Sequence, residues 1–172
     1  MRRTAVTAGG VLTSGGSLGN LTALLAARQE QAGFDAWHQG LRSGPQLCVF
    51  VAETAHYSVA RSAHILGLGN HGVISVDVDA QLRMRPDALR DAIKKAKDKR
   101  LQPIAVVASA GSTAAGAIDP IDAIADICGQ ERVCPPMHSA VARHSTTPAA
   151  GTLASKAQLT SATKTRYRIA RT

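Results

Sequence analysis

The sequence predicts an α/β protein, with a largely parallel sheet carrying helices on both faces. Segments of helical spacing and short apolar runs succeed one another in the order helix, strand, helix, strand, helix, strand, helix, the alternation that layered α/β folds require. The runs at Leu47–Val51 and Ile104–Ala108 are continuously apolar, as in strands covered on both faces, and parallel sheets are built from such strands. A chain of 172 residues that is 45% hydrophobic and 19% charged suits one globular domain.

Each element has its own local reason. Thr13-Ser14-Gly15-Gly16-Ser17 is a glycine-dense loop, and Leu18 to Ala32 then sets Leu21, Leu24, Leu25 and Arg28 at helical spacing among good helix formers. Gly40 to Pro45 is turn chemistry leading into the first strand. Ala55 to Leu68 returns to helical spacing, with Val59, Ala63 and Leu66 as its apolar positions, and Val73 to Val78 alternates like a strand. Pro86 opens a helix that runs to Arg100, with Asp87 and Asp91 early and Lys94, Lys95, Lys97, Lys99 and Arg100 late, the order the helix dipole favours. Leu89, Ala92, Ile93 and Ala96 form a core stripe opposite the lysines, so that stretch reads as a solvated helix end rather than a phosphate-binding patch. Ile104 to Ala108 is followed by the loop GSTAAGAIDP and a helix from Ile121 to Cys128.

Charge divides the chain. The formal net charge is +8, yet residues 1–130 hold 13 basic and 11 acidic side chains, whereas residues 131–172 hold 7 basic side chains and Glu131 alone among acids. The second stretch is rich in Ser, Thr, Ala and Pro and has no sustained period, so the boundary is drawn at residue 130 and residues 131–172 are expected to be a disordered or frame-shifted tail. Its basicity invites a nucleic-acid arm, but Tyr167 is its only aromatic stacking partner, and nucleic acid is not an expected partner. Cys48, Cys128 and Cys134 are odd in number and lack metal-ligand spacing, which argues against a disulfide framework and a metal site and for a reducing, cytoplasmic setting. No apolar run reaches membrane-spanning length, and Met1-Arg2-Arg3 is followed by Thr4, Thr7, Gly9 and Gly10 rather than the apolar core of a leader.

Three loops carry chemistry. Thr13 to Ser17 ahead of a helix can cradle an anion, because glycines bare the backbone N–H groups, Ser17 adds a hydroxyl and the helix N-terminus adds partial positive charge; a glycine-rich helix start without a ligand explains it equally well. His56 opens a helix just after a buried strand, where ligands lie in open α/β sheets, although a lone histidine there is more often a capping or surface residue. Ala108-Ser109-Ala110-Gly111-Ser112-Thr113 follows another strand, and its small and hydroxyl side chains permit close approach of a flat ligand or make an ordinary connection.

Taken together, GVLTSGGSLGNLTALLAAR (10–28), TAHYSVARSAHILGLG (54–69), VDVDAQLRM (76–84) and PIAVVASAGSTAAGAIDPIDAIADIC (103–128) resemble, in order and spacing, the group II pyridoxal-phosphate-dependent amino acid decarboxylases, which include the aromatic amino acid, glutamate and diaminobutyrate enzymes. The resemblance implies part of the large cofactor-binding domain of a fold-type I enzyme over residues 1–130, with pyridoxal 5′-phosphate as cofactor. It implies that Gly16 and Ser17 bind the cofactor phosphate and that His56 stacks on the pyridine ring. Ser109 or Ser112, with Thr113, would line the ring hydroxyl or phosphate. The chemistry it implies is loss of the α-carboxylate of an amino acid substrate joined to the cofactor, with the electrons left on Cα drawn into the ring. The complete enzyme is expected to be a homodimer.

The family pattern also calls for a His-x-Asp-Ala strand, whose aspartate pairs with the pyridinium nitrogen, and for a His-Lys pair, whose lysine holds the cofactor aldehyde. Met137-His138 is followed by Ser139-Ala140 rather than an aspartate, and Lys156 and Lys164 lack the matching context. The isolated chain is therefore expected to be an inactive piece of a carboxy-lyase. The alternative is a non-catalytic binding or regulatory module that pairs with a full-length enzyme.

Overall fold

β1 (Leu47–Ala52) is an interior strand of the sheet and is buried along its whole length. The computed structural model describes residues 12–42, 44–112, 115–131 and 133, and the backbone of 137–139. On one side of β1 lies β2 (Val73–Val76), and on the other β3 (Gln102–Ser109) followed by β4 (Met137–Ser139), giving the order β2-β1-β3-β4 with every neighbouring pair parallel.

The period of two along β1 separates two cores. Leu47, Val49 and Val51 pack with Leu24 and Ala27 of α1 (Gly16–Gln31), Ala36 of α2 (Ala36–Gln39) and Val59 and Ala63 of α3 (Tyr57–Ile65). Cys48, Phe50 and Ala52 pack on the other face with Leu89, Ile93 and Ala96 of α4 (Pro86–Asp98) and Ile124, Ile127 and Cys128 of α5 (Ile121–Glu131). Both faces of β1 are thus sealed by helices, which is why its run is apolar throughout. Among the described residues no helix is long and apolar enough to cross a membrane.

The connection from β1 through α3 reaches β2 on one side, and the connection from β2 through α4 returns past β1 to β3 on the other. The winding direction therefore reverses between β1 and β3, and the crevice outside the carboxyl ends of those two strands is where an open α/β sheet accepts a ligand.

Several expected boundaries move, each for a physical reason. The helix expected over Ala55–Leu68 is shorter because His56 caps its start and Gly67, at φ +83, ends it: the Leu68 N–H returns to the Ala63 carbonyl at 3.0 Å. The strand expected over Val73–Val78 stops at Val76. It is an edge strand, and the chain beyond it folds into a loop closed by the Val78–Met84 bridge and by Asp79, whose carboxylate accepts the N–H groups of Gln81 and Arg83. The four-residue α2, capped by the Asp35 carboxylate on the His38 N–H, had no periodic signal. The compositional boundary at residue 130 falls inside the folded unit, since α5 runs to Glu131 and Met137–Ser139 joins the sheet beside Val107–Ser109. The rest of the expected tail, 140–172, lies outside the described residues, as do Cys134, Lys156, Lys164 and Tyr167.

Candidate functional site

The candidate site is built from the starts of two helices and the end of a strand. α1 begins at Gly16 after Gly15, and no side chain among the described residues caps it. Its first helical bond is from the Gly19 N–H to the Gly15 carbonyl, so the amides of Gly16, Ser17 and Leu18 have no acceptor among the described residues. Residues 14–18 are exposed, and beyond the adjoining backbone nothing among the described residues lies within 4 Å of where a Cβ on Gly15 or Gly16 would stand. Among the described residues the result is an uncapped helix mouth with three N–H donors that have no acceptor, the arrangement that suits a phosphate.

α3 starts beside it. Asn20, one turn into α1, donates from Nδ2 to the Ser58 hydroxyl at 3.0 Å, which ties the second turn of α1 to the first turn of α3. His56 is the N-cap of α3, its Nδ1 accepting the Ser58 N–H at 3.3 Å. The cap that the sequence offers as the ordinary explanation of His56 is therefore real, and it uses one ring nitrogen only. The ring is half-buried, with the Tyr57 ring tilted against it at a centroid distance of 4.4 Å. The phosphate-type cradle and the histidine are thus joined through one hydrogen-bonded link.

The third loop leaves the end of β3, next to β1. Ser109 is half-buried, its N–H is held by the Asp119 carboxylate at 2.6 Å, and its hydroxyl has no hydrogen-bond partner among the described residues. Ser112 differs: it is buried, and its hydroxyl accepts the Ala117 N–H at 3.1 Å while its own N–H donates to the Ala117 carbonyl. Ser112 closes a loop; Ser109 keeps its hydroxyl available. Thr113 lies outside the described residues. At β4 the backbone of His138 stands opposite Ala108, one position before the end of β3.

Three polar residues here were not singled out from the sequence. Asn20 lies on the inward side of α1 in line with the buried Leu24 and Ala27, and Ser58 is buried on α3 with Val59, Ser62 and Ala63. A polar residue inside a buried stripe was the available signal. Asp119 reads locally as a turn residue before Pro120, yet it is buried and accepts the N–H groups of Met84, at 2.7 Å, and Ser109.

Comparison with known proteins identifies the family and the fold. Residues 2–142 match the model of the pyridoxal-dependent decarboxylase conserved domain. The chain is 37% identical over 124 residues to an acidic amino acid decarboxylase of Xenopus tropicalis, covering 72% of this chain and 24% of that protein. The crystal structure of mouse CSAD in apo form superposes with a TM-score of 0.71 at 38% identity, over 74% of this chain and 27% of that one. The crystal structure of Oryza sativa TDC with PLP and tryptamine gives 0.66 at 27% identity, over 73% of this chain and 26% of that one. The chain spans about a quarter of the length of the relatives it matches.

Proposed function

Because the chain belongs to the pyridoxal-dependent decarboxylase family, we propose that it forms part of the cofactor-holding domain of a cytoplasmic, homodimeric enzyme that decarboxylates an L-amino acid to an amine and carbon dioxide. The observation that carries this is the open N-terminus of α1 linked by Asn20 and Ser58 to His56. Pyridoxal 5′-phosphate supplies the electron sink for the carboxylate's bonding pair when it is bound.

Each residue then has a task. The N–H groups of Gly16 and Ser17, with the Ser17 hydroxyl, take the cofactor phosphate, where the helix end adds favourable potential. His56 would stack on the pyridine ring of the bound cofactor. The free Ser109 hydroxyl is the better candidate to hydrogen-bond the cofactor, since Ser112 is committed to its loop. By family resemblance Thr113 would join that lining.

The 172-residue chain is proposed to bind the cofactor without turning over substrate. His138 is followed by Ser139-Ala140 instead of an aspartate, and neither Lys156 nor Lys164 follows a histidine. The test uses the purified chain titrated with pyridoxal 5′-phosphate and, separately, with pyridoxal lacking the phosphate, followed by absorbance and by release of labelled carbon dioxide from amino acids. The expected result is saturable binding of the phosphorylated form, weakened about tenfold or more by Ser17→Ala, through loss of one charge-assisted hydrogen bond, and no carbon dioxide. Equal affinity for both forms would overturn the cradle, and carbon dioxide release would overturn the inactivity.

A further inference from the structure

Ser58 makes two contacts with the same histidine nitrogen. Its backbone N–H donates to His56 Nδ1 at 3.3 Å, and its hydroxyl oxygen lies 2.8 Å from Nδ1. A backbone N–H can only donate, so Nδ1 presents its lone pair, and in the neutral ring the proton must reside on Nε2. The hydroxyl contact has a direction too. Because Nδ1 is already the acceptor of the Ser58 N–H, the hydroxyl must be the donor in the 2.8 Å contact, and its oxygen is then free to accept Asn20 Nδ2 at 3.0 Å. The neighbouring hydroxyl of Ser62 does not divert it, since it donates to the Ser58 carbonyl and not to the Ser58 hydroxyl. Ser58 is only 2% exposed, so water competes poorly for these groups.

We propose that Asn20 and Ser58 are positioning residues that lock His56 in its Nε2–H tautomer. Asn20 orients the Ser58 hydroxyl, Ser58 occupies Nδ1 from two directions, and the imidazole is left with its proton on Nε2. Held this way, His56 offers a fixed ring face and a hydrogen-bond donor. The tautomer follows from the contacts alone; its use in holding the cofactor rests on the reading of the preceding subsection.

The experiment is a long-range proton–nitrogen correlation spectrum of the full chain labelled with 15N-histidine, recorded where the ring is neutral. The expected spectrum has a bare Nδ1 and a protonated Nε2 for His56. Ser58→Ala removes the hydroxyl bond and is expected to lower the Nε2–H to Nδ1–H ratio about tenfold. Asn20→Asp is expected to act in the same direction without touching Ser58, because a carboxylate at position 20 accepts the hydroxyl proton and turns it away from Nδ1. Ser58→Thr keeps the hydroxyl and is expected to keep the ratio. A protonated Nδ1 in the unsubstituted chain overturns the proposal, as does an unchanged ratio in both Ser58→Ala and Asn20→Asp. If Ser58→Ala fails to fold, the unsubstituted chain and Asn20→Asp still decide. Adding pyridoxal 5′-phosphate separates the two readings: His56 signals that stay in place while the Nε2–H tautomer persists count against the cofactor site and leave the lock standing.

Discussion

Replacing Asp119 should loosen the end of β3 more than any surface change on the neighbouring helix. Its carboxylate is buried at 3% exposure and accepts two backbone N–H groups, Met84 at 2.7 Å and Ser109 at 2.6 Å, while the Asp119 N–H returns to the Ser109 carbonyl at 2.9 Å. One side chain thereby staples the segment entering α4 to the carboxyl end of β3. Hydrogen bonds to a charged acceptor contribute about 1.5–3 kcal/mol each, and a buried donor left without a partner bears its desolvation penalty. Asp119→Ala is therefore expected to cost about 3–5 kcal/mol. Asp119→Asn retains one acceptor oxygen but turns an NH2 toward the other N–H, for a cost of about 2 kcal/mol. At roughly 2–4 °C per kcal/mol for a domain of this size, the alanine variant should melt about 10 °C lower, with the asparagine variant between it and the unsubstituted chain. Thermal and urea denaturation followed by circular dichroism reads this, with Asp126→Ala on the exposed side of α5 as the control. An Asp119→Ala midpoint close to the Asp126→Ala midpoint would refute the staple.

Other consequences are as concrete. Arg100 sits at φ +57 just after α4, where the Leu101 N–H returns to the Ala96 carbonyl at 2.9 Å, a helix ending that glycine fills without strain. Arg100→Gly should raise stability by about 0.5–1 kcal/mol in urea titration, and a loss of stability would contradict this account of the αL position. The Cys48 thiol lies wholly inside the sheet, and burial pushes its pKa up to about 12. It should resist thiol-specific reagents at mildly alkaline pH until the chain is unfolded, and rapid native-state labelling at Cys48, mapped by mass spectrometry, would be the contrary result. Asp79 is held below the usual carboxylate range, chiefly by the Arg83 side chain and then by the Arg83 N–H. A carboxylate with a lowered folded-state pKa contributes stability above its unfolded value of about 3.9, and that contribution disappears as pH falls through the lowered one. Carboxyl carbon shifts should show Asp79 titrating below a free aspartate, and a midpoint at or above that value would reverse the sign.

Elements with a local signal could be read directly from the order of residues. The apolar run at Leu47–Val51 can be satisfied only by cover on both faces, and α1 and α3 on one side with α4 and α5 on the other supply it. The stripe of Leu89, Ile93 and Ala96 opposite the lysines marked both the existence of α4 and its inward face. The glycine-dense entry to α1 and His56 at the start of α3 were likewise visible, because backbone freedom and helix-start chemistry are written within a few residues. Features that depend on partners far along the chain became visible only once it was folded. That β2 ends at Val76, and that β4 forms at all in a stretch set apart by its composition, depends on which strands find neighbours in the sheet. Whether Ser109 or Ser112 keeps a free hydroxyl depends on a loop closing back on itself, and Asp119 proves to be a staple rather than a turn residue because Met84 lies 35 positions away in sequence and 2.7 Å away in space. Asn20 and Ser58 are 38 residues apart, so no strand or helix period could announce that they meet. Periodicity reports which face of an element is buried; only the folded chain pairs one element's polar atom with another's.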